Sequence, residues 1–188
     1  MDVYLVGEFG VKRCPVEGLD ELLLRPDVLI WVDIARCDGR TAMVLSETFG
    51  FHDIAIRDCL ERNHMSKLHV YDDHVFTVLH APEVGSRGHV HYVELDQFLG
   101  PNYLVTVHGP LNPAVDPAVA FVDTEQVRMR TDSGRLHPKT PFELSSAIVS
   151  ALTRREIDLI ASLAKQSGDL ERQLVLGEVA ANPEPFLE

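Results

Sequence analysis

The run Val28-Leu29-Ile30-Trp31-Val32-Asp33 decides how this chain folds. From Val28 to Val32 it is a continuous apolar run, bounded by Pro26 on one side and Asp33 on the other, the pattern of a strand buried on both faces. Two helices are predicted after it, Thr41 to Phe49 and Asp53 to Asn63. The first closes on Phe49-Gly50-Phe51-His52, where Gly50 suits a left-handed C-cap. The second carries Ile54-Ala55-Ile56-Arg57-Asp58-Cys59-Leu60, with Asp53 placed to cap it. A β-rich middle then opens at Lys67-Leu68-His69-Val70-Tyr71-Asp72-Asp73. Strands are predicted over Leu68 to Tyr71 and Val75 to Leu79, joined at Asp72-Asp73. His89 to Leu99 and Tyr103 to Val107 follow, separated by the turn Gly100-Pro101-Asn102.

Outward from this centre, Val3-Tyr4-Leu5-Val6 reads as an opening strand and Leu19 to Leu24 as a short helical turn ended by Arg25-Pro26. Gly85-Ser86-Arg87-Gly88 reads as a flexible loop. Asn112 to Pro117 is a proline-rich connection into a helix over Ala118 to Arg130. From Pro141 to about Gly177 there is no interior proline, and Leu144, Ile148, Leu152, Ile160, Leu163, Leu170 and Leu174 recur at helical steps. At 1.5 Å per residue such a helix runs roughly 50 Å. That exceeds the β-rich body, so it must project or fold back as a hairpin near Ser167-Gly168. Asn182-Pro183-Glu184-Pro185 reads as a linker. Strands and helices mix throughout, which predicts an α/β sandwich on a mixed sheet followed by a long helical extension. The expected division is 1–135 for the sandwich and 136–188 for the helix or helical hairpin.

Bulk properties narrow the function classes. At 188 residues, 45% hydrophobic and 24% charged, the chain can bury a real core. No apolar run reaches the length of about eighteen residues needed to cross a bilayer, and no secretory signal opens the chain. The 29 acidic against 17 basic residues give a formal charge of -12, which repels nucleic acid. Three cysteines, Cys14, Cys37 and Cys59, lack the spacing of a disulfide framework or zinc knuckle and are expected to be reduced and mostly buried. A reduced thiol set suits the cytoplasm.

Several short signatures stand in a fixed order: Trp31-Val32-Asp33, Phe49-Gly50-Phe51-His52, Tyr71-Asp72-Asp73, Glu94 with Phe98-Leu99-Gly100, and Thr106-Val107-His108. Each is weak alone; in register they are specific. Over about Trp31 to Ile160 the chain resembles the amino-terminal cytoplasmic domain of CorA-like divalent-cation transporters. The resemblance implies an α/β/α sandwich that regulates magnesium or cobalt transport, with long helices leading to two membrane spans. Those spans, and the Gly-Met-Asn at the pore mouth, are not in this chain. The partners implied are the chain's own membrane segment beyond Glu188 and neighbouring subunits of a pentamer, at the cytoplasmic face of the membrane. Neither nucleic acid nor a small-molecule substrate is expected. Two other readings stay open: a zinc-transporting relative of the same superfamily, and a stand-alone soluble interaction module with this fold.

Asp58 is the one site residue the resemblance selects. The matching carboxylate in the family binds a regulatory divalent cation, Mg²⁺ with Co²⁺ or Zn²⁺ as alternatives, at the subunit boundary. Mg²⁺ keeps most of its waters and needs only one or two carboxylates. Without the resemblance, Asp58 is a solvated helix residue with Glu61 one turn on. The family also carries an acidic pair where Arg57-Asp58 stands, and Arg-Pro-Lys where Met65-Ser66-Lys67 stands. The first departure weakens a two-carboxylate site; the second is expected to be neutral.

Other residues invite chemistry less strongly. His89 and His91 share one face of a strand, with His64, His69, His74, His80 and His108 nearby in sequence, but tight zinc sites need three or four converging ligands. Asp72-Asp73 with His74 has the composition of a hydrolytic site, yet aspartate at a strand corner serves turn geometry. No nucleophile elbow, phosphate loop or metalloprotease helix occurs, so the reading is of a non-enzyme.

Overall fold

The structure is a computed structural model and describes residues 1–85 and 89–176. Seven strands form one sheet: β1 (Asp2–Gly7), β2 (Gly10–Cys14), β3 (Leu29–Ile34), β4 (Lys67–Val70), β5 (Val75–Val84), β6 (Val90–Leu99) and β7 (Tyr103–His108). Their spatial order is β2-β1-β3-β7-β6-β5-β4. β3 runs parallel to β7 and every other pair is antiparallel, so the sheet is mixed. β3 is buried as its composition requires, with only Asp33 partly exposed.

Alternate residues of the strands feed two cores. Ile30, Val32, Ile34, Phe76, Val78, Phe98, Val105 and Val107 face one side. There they meet α1 (Leu19–Leu23), α2 (Gly39–Glu47) and α3 (Asp53–Leu60) through Leu19, Leu45, Ala55, Ile56 and Cys59. Leu29, Trp31, Leu95, Leu99 and Leu104 face the other side. They meet α4 (Val122–Asp132) and α5 (Pro141–Val175) through Val127, Leu144, Ala147, Ile148, Ala151 and Leu152. The result is an α/β/α sandwich.

Local chemistry sets the boundaries. Gly50 takes φ +69° just past α2, as a left-handed cap requires. The cap of α3 is His52, whose Nδ1 accepts from Ile54 N at 3.2 Å, and not Asp53, which lies inside the helix. β2 was not foreseen: Lys12 and Arg13 are exposed on an edge strand, so little apolar alternation marks it. α5 is one continuous helix through Gly168, so there is no fold-back at Ser167-Gly168. Its first three turns are part of the second core, and beyond Leu152 its side chains are largely exposed. The predicted loop residues 86–88 and linker 182–185 lie outside the described residues.

Candidate functional site

Asp58 sits near the C-terminal end of α3, on the face that overlooks the start of β4. Its carboxylate is not free. Lys67 Nζ donates to Asp58 Oδ1 at 2.9 Å and to Asn63 Oδ1 at 2.7 Å. Both side chains of the pair are largely covered, 19% exposed for Asp58 and 31% for Lys67.

Asn63 is the node that fixes this arrangement. Its Nδ2 donates to the Asp58 carbonyl at 2.8 Å and to Glu94 Oε1 at 2.9 Å, and its backbone N–H donates to Glu94 Oε2 at 2.8 Å. Those donor contacts orient the amide so that its Oδ1 faces Lys67. Glu94 is buried on β6, where Gly109 leaves room for it: a Cβ there would lie 2.7 Å from the Glu94 Cβ. The Tyr92 hydroxyl donates to the Asn63 carbonyl at 2.9 Å, and His80 Nε2 lies 3.2 Å from the same oxygen. α3, the turn after it and the β4–β6 strands are therefore tied together by one polar network.

Two residues below Glu94 on the same face of β6, Asp96 is fully buried and neither carboxylate oxygen has a hydrogen-bond partner. Burial, then the charge of Glu94, push its carboxyl well above the usual carboxylate range. The Cys59 thiol beside it supplies only a weak polar contact. Burial also raises the Cys59 thiol, and raises Cys37 to about 11. All three cysteines are free thiols, Cys37 and Cys59 buried and Cys14 half-buried.

The Trp-Val-Asp and Thr-Val-His signatures meet on the opposite face of the sheet. Trp31 Nε1 donates to Thr106 Oγ1 at 3.0 Å, and Thr106 Oγ1 donates to Asp33 Oδ1 at 2.5 Å. His108, fully buried, places Nε2 3.0 Å from Asp33 Oδ1 and Nδ1 2.9 Å from the Ala120 carbonyl. The parallel β3–β7 register sets Asp33 opposite Thr106. These residues satisfy one another and stitch the sheet to the α4 side.

Among the remaining candidates, His74 and His91 make local contacts. His74 packs against Phe51 and Tyr71 with its Nδ1 2.7 Å from Asp73 Oδ1, at a corner closed by Tyr71 N–H donating to the His74 carbonyl. His91 Nδ1 lies 3.1 Å from Asn112 Nδ2, and His89 precedes β6. Among the described residues no three His, Cys, Asp or Glu side chains gather where they could hold a metal ion. As the residues stand, they do not fit a bound divalent cation: the carboxylate the resemblance selects is taken by Lys67. Sequence reading missed that pairing, although the lysine itself stood out as the one retained residue of its motif. It also missed Arg155, which leaves α5 to bond Asp123 Oδ2 at 2.9 Å, the Val119 carbonyl at 3.2 Å and Glu83.

The architecture defines an α/β/α sandwich whose last helix runs on past its core. A family model described as "CorA-like Mg2+ transporter protein" matches residues 26–186, and the chain belongs to that family. It is 26% identical over 163 residues to YfjQ of Bacillus subtilis (strain 168), named a "putative metal ion transporter". That match covers 86% of this chain and 46% of YfjQ, so the chain spans about half the relative's length. Solved structures share the fold. The full-length CmaX protein superposes with a TM-score of 0.74 at 20% identity, covering 97% of this chain and 54% of that one. The soluble domain of CorA from Methanocaldococcus jannaschii gives 0.63 at 16% identity, covering 93% and 64%. The ZntB cytoplasmic domain from Vibrio parahaemolyticus RIMD 2210633 gives 0.61 at 10%, covering 88% and 62%. Among the described residues no helix is long and apolar enough to cross a membrane.

Proposed function

We propose that this chain is the cytoplasmic regulatory domain of a divalent-cation transporter, with magnesium as the transported ion. Sandwich and extension divide as 1–135 and 136–188, with the first three turns of α5 packed into the second core of the sandwich. α5 is the lever by which the sandwich acts on a membrane part that follows it, within a pentamer of like subunits. The observation that carries this reading is the exit of α5. Arg155 is its last tie to the sandwich, and beyond it Ile157, Ile160, Leu163 and Leu174 expose an apolar stripe that has no partner within the described chain. Such a stripe is the face of a helix that packs against other helices. Asp58 is the residue the family resemblance assigns to a regulatory cation, although in this fold its carboxylate is engaged by Lys67.

The test has two stages. The coding sequence beyond Glu188 should contain two apolar spans of about twenty residues. Purified full-length protein in vesicles carrying a Mg²⁺-sensitive dye should then admit Mg²⁺, and charge reversal on the sandwich at Asp58 should change the inhibition by Mg²⁺ on the domain side. A stop codon soon after Glu188, or transport of Zn²⁺ alone, would overturn the reading.

A further inference from the structure

We infer that the groove between α4 and α5 is a docking site for a short acidic peptide segment of a partner protein. It lies on the opposite face of the sheet from α3 and Asp58, and it is independent of any cation there. The groove has a volume of about 630 Å³ and runs between the end of α4, with the linker after it, and the first half of α5. Phe142, Ser146, Ser150 and Arg154 line the α5 wall. Their four-residue spacing sets them in one row, about 18 Å long at 1.5 Å per residue. Arg130 and Leu136 stand on the other wall.

The charge of this groove is the reverse of the chain's. The sequence carries 29 acidic against 17 basic residues, yet here two guanidiniums stand without a carboxylate. On α4 and α5 the ion-paired arginines among the described residues are Arg128, Arg155 and Arg172, so Arg130 and Arg154 keep their guanidiniums unpaired. Glu143, an acid on the α5 wall, is already committed: its carboxylate accepts the Lys139 N–H at 2.6 Å where the helix begins. A guanidinium fork matches a carboxylate in shape and charge, and one that meets none at home is open to one from outside.

Spacing and lining select the class of ligand. A phosphate group is gripped by donors that converge on one point. Here the two guanidiniums come from different helices, and the groove adds the apolar surface of Leu136, Ala147 and the Phe142 ring, which is 62% exposed. A row of about 18 Å takes five or six extended residues at about 3.3 Å each. A segment carrying several carboxylates and one or two large apolar side chains complements both parts: its acids meet Arg130 and Arg154, and its apolar groups cover Phe142 and Leu136. Nucleic acid does not fit, because the formal charge of -12 repels a phosphate backbone. The same overall charge keeps the affinity for an acidic partner modest, so the contact is reversible.

Fluorescence anisotropy of a dye-labelled peptide, Glu-Leu-Glu-Glu-Phe-Glu, titrated with the 188-residue chain tests this. The expected result is saturable binding that Arg130→Gln or Arg154→Gln weakens about two- to fivefold each, with the double variant weaker than either. Arg172→Gln, on the exposed far part of α5, should leave it unchanged. Replacing the peptide's glutamates by glutamines, or its leucine and phenylalanine by serines, should remove binding to the wild type; these two arms keep the test decisive where an arginine variant misfolds. Absence of binding up to about 1 mM, equal binding by the double arginine variant, or equal binding of the glutamine peptide overturns the inference. Displacement of the peptide by an equal concentration of inorganic triphosphate overturns it in favour of a general anion site.

Discussion

Replacing Asp96 with asparagine should remove a specific pH dependence from the stability of the domain. Asp96 is fully buried on β6 with no hydrogen-bond partner for either oxygen. A bare carboxylate there would lack solvation and counter-charge, so the group folds in neutral, with a proton on. The groups around it are Glu94 on its own strand, Cys59 and Asp58 on α3, and Lys67 on β4. Burial dominates, Glu94 adds to it, and Lys67 only partly offsets them. The sign follows from the direction of the shift. The folded value lies above the unfolded one, so this group's contribution is fully present below the ordinary carboxylate value of about 3.9 and is lost as pH rises towards the folded value. In that window one proton is bound by the folded state and not by the unfolded one, a slope of about 1.4 kcal/mol per pH unit. Asparagine has the same shape and no proton to lose. Urea denaturation of both proteins from pH 4 upward should therefore show the wild type losing stability relative to Asp96→Asn at about that slope, before levelling. A difference that stays flat between pH 4 and 8 would refute a neutral, buried Asp96.

Three further outcomes follow from the packing. Thr106→Val should cost about 1–3 kcal/mol, because it leaves the buried Trp31 N–H without an acceptor; Trp31 is the single tryptophan, so its fluorescence reports the change directly. Arg155→Ala should cost about 3 kcal/mol by stranding Asp123, whose side chain is only 5% exposed, and amide exchange should quicken along α5 around that position. Burial already pushes the Asp123 carboxyl up against the pull of Arg155, so the stranded acid should take up a proton. With a thiol-reactive dye, Cys14 should label quickly in the native protein, while Cys37, its thiol raised to about 11, and Cys59 should label only on unfolding.

What the sequence disclosed depends on whether a residue's role is local. β3 was legible because burial on both faces writes itself as an unbroken apolar run, and Gly50 because a left-handed cap demands glycine. β2 was illegible because an edge strand can be polar on its open side. Continuity of α5 was ambiguous for an energetic reason: one mid-helix glycine costs about 1 kcal/mol against alanine, too little to break a helix whose first turns are anchored in a core. The order of the signatures gave the family, yet the reason Trp-Val-Asp and Thr-Val-His occur together was hidden. Their hydrogen bonds join residues 73 to 75 apart, and only the parallel β3–β7 register brings them into contact.

The same distinction governs the candidate site. A motif can nominate Asp58 as a carboxylate, but whether a carboxylate is available to an ion is a tertiary property. Here availability is set by Lys67, nine residues on, and by Asn63, which is oriented by a glutamate on a third segment. The departure at Met65-Ser66 was expected to be neutral, and the retained lysine carried no assigned role because in sequence it only opens a strand. In the fold it decides whether the nominated acid meets solvent ions or a charge of its own. A substitution at Lys67 should therefore change cation response more than one at the exposed Arg57, although Arg57 is the residue adjacent to Asp58 in the chain.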